Sequence, residues 1–178
     1  TLTGVVSAPS GQVASLQKKY FFKTIEDLLL PSAVAMTTGL SPVTDATVSV
    51  FVVNNSGVTQ GDAITTATTS SDGSYSLQVT ELRTDCVVVV NGSNNVQIRA
   101  PLVSTTLNIN PATEFATQQL LNGSRDLTKI TVSEVSDVVK DAEAAEVVAG
   151  STVAATVSSV GNEVGDSVNN KLASAEEE

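Results

Sequence analysis

The chain of 178 residues contains no histidine, no tryptophan and a single cysteine. Histidine is the commonest general base near neutral pH and a frequent zinc ligand, so its absence excludes Ser-His and Cys-His nucleophile pairs and histidine-bearing metal sites. Serines are abundant, yet without His or a well-placed Lys none is activated as a nucleophile. A lone cysteine excludes an internal disulfide. Cys86, in Asp85-Cys86-Val87-Val88-Val89-Val90, reads as a small buried hydrophobe, with a reactive or intermolecular thiol as the other reading. Only nine Lys and Arg stand against nineteen Asp and Glu, a formal net charge of −10 and a pI near 4.3. Counterion release from nucleic acid needs clustered cations, so neither nucleic acid nor an anionic membrane surface is an expected partner. No apolar run approaches the roughly 20 residues that span a bilayer, so no transmembrane segment is expected. Together these absences point away from an enzyme and imply no cofactor and no metal.

Aromatics make up only 3% of the chain, and Val, Ala, Thr and Ser dominate it, a composition suited to pleated sheets. The length allows one core, or a small sandwich with a helical appendage. The clearest local signal is Thr69-Ser70-Ser71-Asp72-Gly73-Ser74-Tyr75-Ser76-Leu77-Gln78-Val79. Asp-Gly between alternating runs predicts a hairpin, with Gly73 at the positive φ of the turn and Tyr75, Leu77 and Val79 on one face of the following strand. Further strands are expected at Leu2–Ser7, Ala46–Val53, Ile64–Thr69, Cys86–Val90, Val96–Ala100 and Val103–Ile109, about seven in all. The apolar run Cys86–Val90 should be central and covered on both faces. Between the first two strands, residues 12–40 switch towards helical spacing and read as an insertion ended near Pro31. It carries Tyr20-Phe21-Phe22 beside Lys18 and Lys19, either an anchor for a partner or rings that pin the insertion down.

Beyond Asn110 the period changes to 3.6 and about three helices are expected. Asn110 is a candidate N-cap before Pro111, with Gly123 a stop, and Thr131-Val132-Ser133-Glu134 is a capping-box pattern for a helix running to about Ala149. From Ser151 onward Val153, Val157, Val160, Val164, Val168 and Leu172 form one apolar stripe. Val and Gly are poor helix formers, so such a helix needs a surface to lie on. Gly161 and Gly165 permit a close approach there, or mark a locally broken helix. The closing acids Glu176, Glu177 and Glu178 sit badly at a helix C-terminus, where the dipole prefers cations.

Residues 2–109 resemble the carboxypeptidase regulatory-like, or transthyretin-like, β-sandwich. The resemblance rests on Thr3-Gly4-Val5-Val6, on Pro42-Val43-Thr44-Asp45-Ala46-Thr47-Val48-Ser49-Val50, on the Asp72-Gly73-Ser74-Tyr75 hairpin, and on Val87–Val90. The insertion at 12–40 departs from the family pattern. The continuation Leu107-Asn108-Ile109-Asn110-Pro111-Ala112-Thr113-Glu114-Phe115 is similar to exported bacterial surface proteins and lipoproteins in which helices follow such a sandwich. The resemblance implies a mainly β fold with a helical C-terminal part: a seven-stranded antiparallel sandwich at 1–109 and a helical appendage at 110–178. It also implies a non-catalytic module used in folding support, adhesion or assembly.

Two functional readings follow. The first is an exported structural subunit that self-assembles, as into a filament, through β-edge and helix contacts. Its candidate interface is Leu2 and Val5 of the first strand, Tyr20, Phe21 and Phe22, and Val153, Val157, Val160, Gly161, Val164, Gly165, Val168 and Leu172 of the last helix. The second is a monomeric cell-surface adhesion module for carbohydrate or protein, contacting its ligand through the loops at Asn54 and Asn91. Both place the chain outside the cell, an expectation that a start at Thr1 in place of Met shares with removal of a signal peptide. Asp45, Asp62 and Asp72 lack the alternating spacing of a calcium loop. Lys129 and Lys140 fall in the helical half, away from any strand-borne isopeptide site. Asn54, Asn91 and Asn122 open Asn-x-Ser sequons, and Glu114, Glu134, Glu143 and Glu146 read as solvated helix-face charges.

Overall fold

A computed structural model describes residues 1–9, 39–91 and 97–177. Its described part is a set of antiparallel strands followed by three helices: β1 (Leu2–Val5), β2 (Ser7–Pro9), β3 (Leu40–Pro42), β4 (Thr47–Val52), β5 (Thr65–Thr68), β6 (Ser74–Leu77), β7 (Cys86–Asn91), β8 (Gln97–Pro101), α1 (Pro111–Leu120), α2 (Val132–Glu143) and α3 (Val153–Glu177). The eight strands form three sheets, β1-β6, β2-β3 and β5-β4-β7-β8, in place of the seven-strand count expected from the sequence. Three differences account for this, the first being β3, a strand not expected from the sequence. The first strand breaks at Val6, whose N–H turns to Gly73 O while Ser7 N–H turns to Ile109 O, so that the continuation pairs with β3. Residues 103–109 run beside β1 through bridges at Thr106 and Ile109 without forming a named strand. The expected insertion at 12–40 lies outside the described residues, apart from Gly39 and Leu40, as do Gly92–Val96.

The Asp72-Gly73 turn forms as the sequence predicts, but the strands it joins do not pair as a hairpin: β5 pairs with β4 and β6 with β1, in separate sheets. Gly73 has φ +79°, and Ser70 N–H bonds Ser74 O across the turn. Tyr75 and Leu77 are buried, and Val79 is half-buried. β7 is central between β4 and β8, and Cys86 to Val90 are all buried, the consequence of an apolar run covered on both faces. Leu2, Tyr75 and Leu77 of β1 and β6 share one core with Val48, Val50 and Val88 of the larger sheet and with the helices.

Both predicted caps are present. Asn110 accepts from Ala112 N and Thr113 N, and Thr131 and Glu134 bond reciprocally. α2 stops at Glu143, short of Ala149, because α3 takes over the next main-chain donor: Glu146 N–H bonds Glu163 Oε1 at 2.9 Å. α3 is continuous through both glycines.

Candidate interaction surface

The first strand is gripped along both edges. One edge pairs with β6, Leu2 facing Leu77 and Val5 facing Ser74. On the other, Thr3 N–H bonds Thr105 O at 3.0 Å, Leu107 N–H bonds Thr3 O at 2.9 Å and Ile109 N–H bonds Val5 O at 2.9 Å. The 103–109 segment comes this close because residue 4 is glycine: a Cβ there would lie 1.8 Å from Leu107 O. The same carbonyl accepts from the Tyr75 hydroxyl at 2.6 Å. Leu2 is fully buried and Val5 alone of the pair is exposed. The strand expected to offer a spare edge therefore has none.

The α3 stripe is also occupied within the chain. Val153, Val157, Val160, Val168 and Leu172 are buried and Val164 is half-buried, with α1 and α2 packed on the helix. Gly161 makes room for a ring, not a backbone: its Cβ would lie 3.0 Å from Phe115 Cε2, whereas one at Gly165 would lie 3.8 Å from Phe115 Cζ. The end of α3 is tied down by the α1–α2 loop. Arg125 Nη1 meets Glu176 Oε2 at 3.0 Å, and Asp126 N–H bonds Glu176 Oε1 at 2.8 Å. Glu176 is thus held mainly by the Asp126 N–H and by Arg125, and its carboxyl sits below the usual range. Tyr20, Phe21 and Phe22 lie outside the described residues.

The edges of the four-stranded sheet differ. At β8, Arg99 N–H donates to Glu114 Oε2 at 2.7 Å and Arg99 O accepts from the Thr113 hydroxyl at 3.1 Å, so side chains of α1 close that edge. Arg99 Nη2 also meets Glu114 Oε1 at 2.7 Å. Glu114, read from the sequence as a solvated charge, is buried and bonded to Arg99 of β8, and its buried apolar neighbours Ala112, Phe115 and Ala116 were the available signal. Glu143 is half-buried, against the same expectation, and burial pushes its carboxyl up while the Asn110 amide pulls it down. At the opposite edge, Thr69 N–H bonds Ala46 O, so alternation turns the main-chain groups of Thr66 and Thr68 away from β4. No described residue pairs with them, and both side chains are exposed.

The ionisable groups do not converge. Among the described residues no three acidic or cysteine side chains cluster as metal ligands. Asp72 sits in the turn, where the Ser70 hydroxyl, the Ser74 hydroxyl and the Ser74 N–H lower its carboxyl to about 2. Asp45 takes φ 53° at the start of β4, and Asp62 is exposed in a separate loop. The Cys86 thiol is fully buried, and burial followed by the Asp85 carboxylate pushes its pKa up. Lys140 pairs with Asp137 on the surface of α2, away from the strands. A groove of about 600 Å³ lies between the 82–85 loop and the start of α2, but its cation, Arg83, is held by Asp85 at 2.7 Å and faces Glu81 at 3.5 Å.

Asn54 and Asn91, expected on one ligand surface, lie at opposite ends of β4. Asn91 pairs with Thr47 at the start of β4, whereas Asn54 follows its end, a separation of about 24 Å at 3.4 Å per residue. Asn54 instead adjoins the Asn122 turn, where Gly123 N–H bonds Asn55 O at 3.1 Å. No family model matches the chain, and neither a curated protein nor a solved structure matches it.

Proposed function

We propose that the chain is a non-catalytic, exported structural protein, a subunit of an extracellular assembly whose copies meet through β edges. The observation that carries this reading is the contrast between the two sides of the large sheet. α1 closes β8 with a partly buried ion pair, whereas β5 presents Thr66 and Thr68 without a described partner. Natural edge strands are commonly protected by Lys, Pro or a covering element, and Thr65-Thr66-Ala67-Thr68 carries no charge and no proline. The β half fits a transthyretin-like sandwich in which β1-β6 and β2-β3 face the four-stranded sheet across the shared core. Support for that finer reading comes from Leu2 and Leu77 packing into one cluster with Val48 and Val88.

A monomeric surface-binding module is the second reading. The folding of α3 onto α1 and α2 favours it, since the stripe then offers no joint between copies. Negative-stain microscopy and light scattering of the chain as released from its source separate the two. Filaments or a very large mass that shrinks in Thr66→Pro, which removes an outward N–H, support assembly. Wild-type particles of the 18.3 kDa chain mass refute it.

A further inference from the structure

We infer that the open edge of the four-stranded sheet takes a second copy of this chain, β5 against β5 about a two-fold axis at Ala67, with Thr66 of each copy opposite Thr68 of the other. The inference rests on the assembly reading above and gives that edge its partner and register. Within β5, alternation turns the main-chain groups of Thr66 and Thr68 outward, and no bond to those groups is present among the described residues. A two-fold contact uses the same patch on both copies, so each outward residue must meet an outward residue. With Ala67 on the axis, Thr66 exchanges both its main-chain bonds with Thr68 of the other copy, and Thr68 does the same with Thr66. A register centred on Thr66 or Thr68 makes fewer bonds, because the next residues along, Ile64 and Ser70, already give their N–H groups to Val50 O and Ser74 O. The strand is thus complementary to its own copy in one register. Two four-stranded sheets become one, with the β5 strands side by side at its centre.

Charge selects the same partner. The chain carries a net charge of −10, so most of its surface repels a like copy. Residues 63–80 hold a single charge, Asp72, and they form both open strands on this side of the molecule. β6 adjoins β5, and its exposed Ser76 lies opposite Thr3, which directs its main-chain bonds to residues 105 and 107, so the main-chain groups of Ser76 also turn away from β1. A copy brought against β5 therefore meets hydroxyls in place of carboxylates. Across the joint, Thr66 faces Thr68, an uncharged β-branched pair of the kind that stabilises neighbouring strands. Along the strand, the register carries Asp62 of one copy towards Asp72 of the other, beyond the paired residues. Both acids are exposed, so salt screens them and is expected to strengthen the pair.

The full chain, taken from about 1 μM to about 1 mM, is followed by light scattering and by amide exchange. The expected result is a mass that rises above the 18.3 kDa of one chain, with exchange at the Thr66 and Thr68 N–H groups slowing about tenfold once about nine-tenths of the chains are paired. Oxidation reads the register. On the axis the two Ala67 residues form a non-hydrogen-bonded pair with Cα atoms about 4.5 Å apart, within disulfide range, whereas Thr66 stands about 7–8 Å from its own copy. Ala67→Cys should therefore give a covalent pair and Thr66→Cys far less, with the unaltered chain, whose Cys86 is fully buried, as the control. Exchange in the unaltered chain decides the matter where a Cys variant fails to fold. A mass above one chain with Thr66 and Thr68 exchanging at an unchanged rate, or with Ala67→Cys linking no more than Thr66→Cys, overturns the β5 pair and leaves assembly through another edge standing. A mass of one chain throughout removes both.

Discussion

The glycines of α3 allow the helix packing to be tested at two positions that differ in one contact. Replacing glycine by alanine inside a helix normally stabilises by about 0.5–1 kcal/mol, because the unfolded chain loses freedom and the helix loses nothing. At Gly165 the added Cβ lies 3.8 Å from Phe115 Cζ, an ordinary contact, so the full gain is expected. At Gly161 it lies 3.0 Å from Cε2 and 3.4 Å from Cδ2 of the same ring, short of the roughly 3.5–4.0 Å optimum. Phe115 is buried between α1 and α3 and has little room to withdraw; overpacking of this kind costs about 1–3 kcal/mol. Gly161→Ala is therefore expected to be neutral or destabilising by up to about 2 kcal/mol, and Gly165→Ala stabilising, with a rise in Tm of about 2–4 °C per kcal/mol for a chain this size. Urea unfolding followed by circular dichroism measures both. In a Phe115→Leu background the ring edge is gone, and Gly161→Ala should become stabilising, a coupling that a double-mutant cycle isolates. Equal stabilisation by the two alanines in the wild-type background would refute the claim that Phe115 sets the approach of α3.

Three further outcomes follow from the same packing. Gly4→Ala places a Cβ 1.8 Å from Leu107 O, a clash with backbone that only displacement of the 103–109 segment relieves. A loss of more than about 3 kcal/mol is expected by chemical denaturation, with faster amide exchange at Leu107 and Ile109, and near-native stability would contradict the placement of that segment. Glu114→Ala removes the acceptor of Arg99 N–H and leaves its guanidinium without its carboxylate, a loss of about 3–5 kcal/mol, whereas Glu134→Ala at the exposed capping box should cost about 1 kcal/mol. For Glu143 the sign runs the other way. Burial raises its folded-state pKa above the ordinary 4.5, so its charged form penalises the fold. That penalty is absent below 4.5, grows as pH rises through the raised value and is complete above it. Glu143→Gln should raise Tm at about pH 7 and leave it unchanged at about pH 4, and a gain of equal size at both would remove ionisation as the cause.

The helix starts were legible because caps are local chemistry: Asn110 and Thr131 satisfy N–H groups within three residues of themselves. The break at Val6 and the end of α2 were not, because the groups that decide them, Gly73 O, Ile109 O and the Glu163 carboxylate, are distant in sequence. The α3 stripe falls between these cases. Its spacing announces that something covers it, but periodicity is the same whether the cover belongs to this chain or to another copy. A misfit residue carried the missing information. Glu176 in the last turn opposes the helix dipole by a few tenths of a kcal/mol to about 1 kcal/mol, a cost with no local benefit. It becomes favourable where a cation and a free N–H meet it, and the α1–α2 loop supplies both, Arg125 and Asp126. An acid that local rules place badly thus points to a tertiary partner. Here that partner is in the same chain, so the stripe of α3 is covered without a second copy.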